Sequence, residues 1–177
     1  MNNFNQIKLI LIIFFFILLS SVSKSEVKIA FVEMDRVLKN SSVGKSMIQQ
    51  LGKLDEDNKI YFDETNKKLS LKKKKINSQK NILTEEEYKK KVITLNNEFE
   101  NFKKKGNKKI EILKTKRNTG MDKILNELNS LLAEYSNKNE LTFIIDQKNI
   151  IIGRADLNIT DEIIKLLDLK ITKIKLN

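Results

Sequence analysis

Residues 84–135, TEEEYKKKVITLNNEFENFKKKGNKKIEILKTKRNTGMDKILNELNSLLAEY, carry a single apolar stripe at helical spacing. Its positions are Tyr88, Val92, Leu95, Phe99, Phe102, Gly106, Ile110, Leu113, Arg117, Met121, Ile124, Leu128, Leu131 and Tyr135, in steps of three and four. The mean step is about 3.6 residues, the natural helix period, which predicts a nearly straight rod with little supercoiling. Thr84 and Glu87 form a capping box, in which the threonine oxygen and the carboxylate satisfy helix-start amides reciprocally, so the rod begins there.

Upstream, Met47, Leu51, Leu54, Phe62, Leu69 and Ile76, with Asn58 and Thr65 filling gaps, mark a thinner seam from Val43 to about Lys80. Asn40, Ser41 and Ser42 offer N-cap oxygens ahead of it. Polar residues cluster at 77–81, which places a turn near 77–84 and makes the two helices an antiparallel hairpin. Pairing about Asn81 sets Val43 opposite roughly Met121, so residues 121–138 outrun their partner and should pack into a head.

The head is assembled from both flanks. Residues 28–32 (KIAFV), 141–146 (LTFIID) and 150–152 read as three strands, residues 34–39 as a turn of helix, and Thr160, Asp161 and Glu162 as the start of a closing helix with Ile163, Leu166 and Leu167 inward. Residues 170–176 (KITKIKL) alternate polar and apolar, which fits an added strand or a frayed helix end. The expected fold class is α+β: a small β-rich head (26–42 and 139–177) and a long antiparallel α-helical hairpin arm (43–138, distal half 65–105). So few strands leave exposed edges that need partner chains. Ile29, Phe31, Val32, Met34, Phe143, Ile145 and Ile151 are the candidate oligomer-head residues. At 1.5 Å per residue the arm projects roughly 55–60 Å, and its thin seam predicts low local stability and flexing.

The N-terminus reads as a secretory signal peptide. Lys8 precedes an apolar run at 9–19, and small residues Ser23 and Ser25 place cleavage before Glu26, giving an exported, periplasmic chain. The run is shorter than the about 20 residues that span a bilayer. Among 177 residues there is no Cys, His, Trp or Pro, which removes the usual zinc, haem and iron–sulfur ligands, the thiol nucleophile and the histidine base. No Gly-rich phosphate loop is present either, so no cofactor is expected and the chain is not expected to be an enzyme.

Charge is distributed unevenly. The formal net charge is +11, and loss of Lys8 and Lys24 with the signal leaves +9 (11 − 2). The head carries nine basic and nine acidic residues, the arm 23 and 14, and the segment 65–105 alone 13 and 5, a balance of +8. All of that segment's basic residues but Lys80, namely Lys67, Lys68, Lys72, Lys73, Lys74, Lys75, Lys89, Lys90, Lys91, Lys103, Lys104 and Lys105, are candidate contacts for an acidic client or an anionic surface. Lys outnumbers Arg by 31 to 3, as A/T-rich codon usage produces. Codon bias does not account for a neutral head beside a basic tip. Exposed contacts are worth about 0.2–1 kcal/mol each, so such an arm binds by multiplicity. Tyr61, Ile82 and Leu83 are candidate apolar contacts, with Tyr61 also suited to the seam.

Three strings, KIAFVEMDRVL at 28–38 followed by SSVGK at 41–45, ELTFIIDQKNIIIG at 140–153 and DLNITDEIIKLLD at 156–168, flank the charged hairpin. In this order the chain resembles the Skp/OmpH family of periplasmic chaperones over nearly its whole mature length. One departure is Asn158, where the family pattern usually has Asp before Ile-Thr; it bears on a local cap rather than the fold. The resemblance implies a jellyfish-like homotrimer with a shared β head and three arms around a cavity. It implies that unfolded outer-membrane β-barrel proteins are held there without ATP, with contact to lipopolysaccharide or anionic phospholipid at the arms. Two other readings suit a basic helical arm: a structural envelope spacer or membrane-tethering coiled coil, and a nucleic-acid binder. Export argues against the second, so no specific nucleic acid is expected.

Overall fold

The computed structural model describes residues 27–176; the expected signal peptide lies outside the described residues. The elements in order are β1 (Ile29–Val32), α1 (Met34–Asn40), α2 (Ser42–Ser78), α3 (Glu85–Lys138), β2 (Phe143–Asp146), 3-10 turns at Gln147–Asn149 and Ala155–Leu157, and α4 (Thr160–Lys170). The fold is the expected α+β hairpin-and-head arrangement.

β1 pairs in parallel with β2, from Ile29 against Phe143 to Val32 against Asp146. Parallel neighbours need a crossover connection, and here the crossover is the whole helical hairpin. Ala30, Phe31 and Val32 are buried in an unbroken run, as in a strand covered on both faces. The third strand expected at 150–152 does not form. Asp146 accepts from the Lys148 amide at 3.3 Å and turns the chain into the 3-10 segment, off the sheet, and Ile151 and Ile152 end up fully exposed. A single parallel bridge from Phe31 to Asn158 takes that place beside β1.

The SSVGK string makes the corner between α1 and α2. Ser41 accepts from the Gly44 amide at 3.2 Å and caps α2. A Cβ on Gly44 would lie 1.7 Å from the Leu38 carbonyl oxygen, so only glycine lets the two helices meet there.

α2 and α3 pack antiparallel. Gln79 accepts from Lys91 and Asn58 from Lys109, while Met47 lies against Gly120. The pairing is therefore displaced by about a helical turn from the expected Val43–Met121 opposition, and the first turn of α3 overhangs the end of α2. The capping box at Thr84 and Glu87 forms as expected, with the threonine oxygen accepting from the Glu87 amide at 3.3 Å.

The seam itself differs in detail. The least exposed residues of α3 run Tyr88, Val92, Leu95, Phe99, Phe102, Gly106, Lys109, Leu113, Lys116 and Gly120, with steps alternating four and three. That is heptad spacing, not the drifting 3.6 stripe. Ile110 is left 59% exposed and Arg117 is exposed as well. Lys109 and Lys116 take the inner positions because a lysine stem can cover apolar surface while its head finds polar partners.

A large core joins head and shoulder. Ala30, Val32, Val37, Val43, Met47, Leu51, Ile124, Leu128, Leu131, Ile159, Ile163, Leu167 and Ile174 form one buried cluster, with the last turns of α3 at its centre. Residues 171–176 are neither strand nor helix. They bend at Thr172 and run from the end of α4 back over the hairpin shoulder, where Ile174 enters the core.

Candidate functional site

The head strings turn out to be clasps. The Glu33 amide donates to Thr160 Oγ1 at 2.9 Å, Arg36 pairs with both Glu33 and Asp161, and Asp168 Oδ1 accepts from the Ser42 amide at 2.7 Å. Asn158 ties down the entry to α4 from one residue before its N-cap, Ile159: its Oδ1 accepts from the Thr160 amide at 3.0 Å while its amide nitrogen donates to Glu33 Oε1 at 3.0 Å. An aspartate could not make the second bond without a proton. Tyr135 donates to Glu162 at 2.6 Å; burial first, then this carboxylate, push its phenol up to about 12.

The sheet has one open edge among the described residues, that of β2. Of the candidate oligomer-head residues, Ile29, Phe143 and Ile151 are exposed, with Phe143 at 57%. Phe31 and Val32 are buried within the chain, Met34 packs on the core, and Ile145 is half-buried. Exposed Val27 and Ile152 add to the apolar surface of this end.

In mid-arm, Tyr61, Phe62 and Phe102 form a triad with ring centroids 5.7–6.3 Å apart. Lys109 Nζ sits 4.7 Å from the Tyr61 centroid and donates to Asn58 Oδ1 at 3.2 Å. Tyr61 thus contributes to the seam, half-buried. Farther out the seam thins to a small cluster of Leu69, Ile76 and Leu95, flanked by Tyr88, Val92, Phe99 and Phe102.

Hairpin pairing brings lysines from both helices together here. Lys72, Lys75, Lys90 and Lys91 line a cleft of about 390 Å³ with Ile76, Gln79 and Thr94. The cleft is positive at its walls and has an apolar side chain among its lining. Lys72 also pairs with Glu98 across the hairpin. A second cleft holds Lys73 with Leu95, Asn96, Phe99 and Glu100, and is balanced in charge. Lys67, Lys68, Lys74, Lys89, Lys103, Lys104 and Lys105 are exposed and line neither. Sequence spacing alone did not single out Gln79 and Thr94, which become neighbours only once the two helices are in register. At the tip, Ile82 stands 82% exposed and Leu83 is half-buried. Leu71 and Ile93 project from the distal helices. The arm therefore offers ammonium groups and isolated apolar side chains side by side.

The sequence profile of the family described as Outer membrane protein (OmpH-like) matches residues 28–167. A search of curated protein sequences returns no match. In fold the chain is similar to a crystal structure from Caulobacter crescentus CB15 assigned as a candidate outer membrane chaperone (OmpH-like). The TM-score is 0.79 at 15% identity, over 86% of this chain and 90% of that one. At that identity the likeness is one of fold. The profile, in contrast, runs from the first head string through the full hairpin and into the third, and on that ground the chain belongs to the OmpH-like family.

Proposed function

We propose that the protein is an ATP-independent periplasmic holdase. It binds unfolded outer-membrane β-barrel polypeptides between basic helical arms and keeps them from aggregating. The observation that carries this reading is the distal arm, where four lysines line one cleft and the exposed side chains of Leu71, Ile82 and Ile93 stand on the same arm half. An unfolded barrel protein alternates apolar and polar residues along each strand, so a surface mixing both chemistries suits it. Weak contacts repeated along an arm give retention without a fixed complex.

The reading includes export by a cleaved signal peptide, a head spanning 26–42 and 139–177, and an arm spanning 43–138. It also includes a homotrimer closed through the open β2 edge and the exposed Ile29, Phe143 and Ile151. The same lysines would draw the arm tips to lipopolysaccharide or anionic phospholipid over about one Debye length, roughly 8 Å.

The test is light scattering of a urea-diluted outer-membrane β-barrel protein, with and without mature chain of mass fixed by multi-angle scattering. Suppression saturating near one trimer per client is expected. A well-folded trimer that leaves aggregation unchanged would overturn the reading and favour the envelope spacer.

A further inference from the structure

After a bend at Thr172, the segment 173–176 (KIKL) lies in the groove between α2 and α3 at the shoulder, its side chains alternating outward and inward. Ile174 is buried and Ile171 and Leu176 are half-buried, while Thr172, Lys173 and Lys175 face solvent. Gly120 floors the groove: a Cβ there would lie 2.6 Å from Leu176 Cδ2 and 3.0 Å from Met47 Sδ.

The polar contacts are more telling. Gln50 Nε2 donates to the Ile174 carbonyl at 2.8 Å, and Gln50 Oε1 accepts from the Leu176 amide at 3.5 Å. Lys116 Nζ donates to the Leu176 carbonyl at 2.8 Å and Lys123 Nζ to the Lys175 carbonyl at 3.3 Å. All four address the main chain of the segment. A groove that holds an extended backbone by its carbonyls and amide, and takes alternate side chains into an apolar floor, does not depend on which sequence fills it. Nor does it stop at Leu176, because a cleft of about 250 Å³ lined by Gln50, Lys53, Leu54, Asp57 and Lys116 opens beside that residue.

We infer that the segment 171–176 is an internal stand-in for a client strand. The shoulder groove formed by Gln50, Met47, Lys116, Gly120 and Lys123 is a second binding site for extended, alternating apolar and polar polypeptide. The tail occupies it at rest and an unfolded β-barrel strand, built on the same alternation, displaces it. This rests on the holdase reading and adds a site at the base of the arms, distant in sequence from the basic cleft. Because the tail is tethered, its effective concentration is high, so only a client engaging the arms at several points competes well. The tail would thereby reject short peptides and accept long unfolded chains.

A spin label at Lys175→Cys tests this, since the chain has no other cysteine and that side chain is exposed. With the full mature protein, an unfolded outer-membrane β-barrel protein at saturation is expected to shift the label from its immobile to its mobile spectrum. Leu176→Ser in the same background, which weakens the tail and leaves the groove intact, is expected to release the label without client and to tighten client binding at least threefold. A fluorescent peptide of residues 171–177 should bind mature protein truncated after Lys170 at least tenfold more tightly than the full chain. If aggregation is suppressed while the label stays immobile, the tail is purely structural and the inference falls alone. If nothing suppresses aggregation, the holdase reading falls and takes this one with it. If the truncated chain is misfolded by circular dichroism, the client affinity of Leu176→Ser decides: an affinity unchanged from the full chain overturns the inference.

Discussion

Head and distal arm are built from the same residue types and differ in how many neighbours each apolar side chain finds. At the head end of α3, Ile124 and Leu128 are wholly buried among strands, α1, α4 and the tail, and polar clasps tie the layers together. At the tip, Leu69, Ile76 and Leu95 pack only within the two helices of the hairpin, and the surface around them is rich in lysine with Leu71, Ile82 and Ile93 exposed among it. Two helices alone bury one face each. The difference shows how a single continuous helix can be rigid at one end and loosely held at the other. Local stability follows the surrounding layers rather than helical propensity.

The comparison can be broken from the head. Gly44→Ala pushes a Cβ into the backbone oxygen of Leu38, which cannot rotate away; a loss of about 4 kcal/mol in chemical unfolding, or outright failure to fold, is expected. Leu128→Ala should cost about 2–5 kcal/mol globally, the range for a fully buried leucine. Leu95→Ala, on the thin seam, should cost about 1 kcal/mol and show mainly as faster amide exchange between 69 and 102. Equal losses at 95 and 128 would mean that the arm is as tightly held as the head.

The functional side sharpens differently. Replacing Lys72, Lys75, Lys90 and Lys91 together by Gln should weaken client retention several-fold, read by light scattering, while moving unfolding by about 1 kcal/mol or less. Replacing Lys103, Lys104 and Lys105 removes three charges that line neither distal cleft and should weaken retention less. If both sets weaken it in proportion to charge, total charge rather than the cleft governs binding.

Two pH effects are smaller. The Tyr135 phenol is raised in the folded chain, so its contribution is intact below the ordinary tyrosine value of 10.0 and is lost as pH climbs from there towards about 12. Tyr135→Phe should flatten that alkaline decline in a thermal series. At the tip, the bonds from Thr84 hold the Glu87 carboxyl below its usual 4.5. The cap is therefore complete above that value and loosens as pH falls beneath it, which exchange at the start of α3 would register. Both head and tip should thus soften at opposite extremes of pH.

How much of this was written in the sequence depends on whether one helix or two were needed to read it. The hairpin, its turn and the capping box were legible because each is specified within a few residues. The exact seam was not: Ile110 looks like a core residue and Lys109 does not. Yet Lys109 has a tyrosine face and an asparagine oxygen waiting across the hairpin. The triple isoleucine at 150–152 resembled a buried strand, but a 3-10 turn fixed by Asp146 leads the chain off the sheet and leaves Ile151 and Ile152 exposed. The basic cleft unites Lys75 and Lys90 only through pairing, and the docking of 171–176 depends on Gln50, a residue with no local signature. Asn158 was visible as a departure, and its bond to Glu33 supplies the chemical reason.

The parallel pairing of β1 with β2 carries one further consequence, for the order of folding. Ile29 and Phe143 are 114 positions apart (143 − 29). Closing a floppy loop of that length is slow and entropically costly. The hairpin, zipped from its capped tip by contacts between nearby turns, folds the intervening chain back on itself and delivers the two strands to the same place. On this route the arm is the scaffold on which its own head is assembled. Pulsed hydrogen exchange during refolding would then find α2 and α3 protected before β1 and β2.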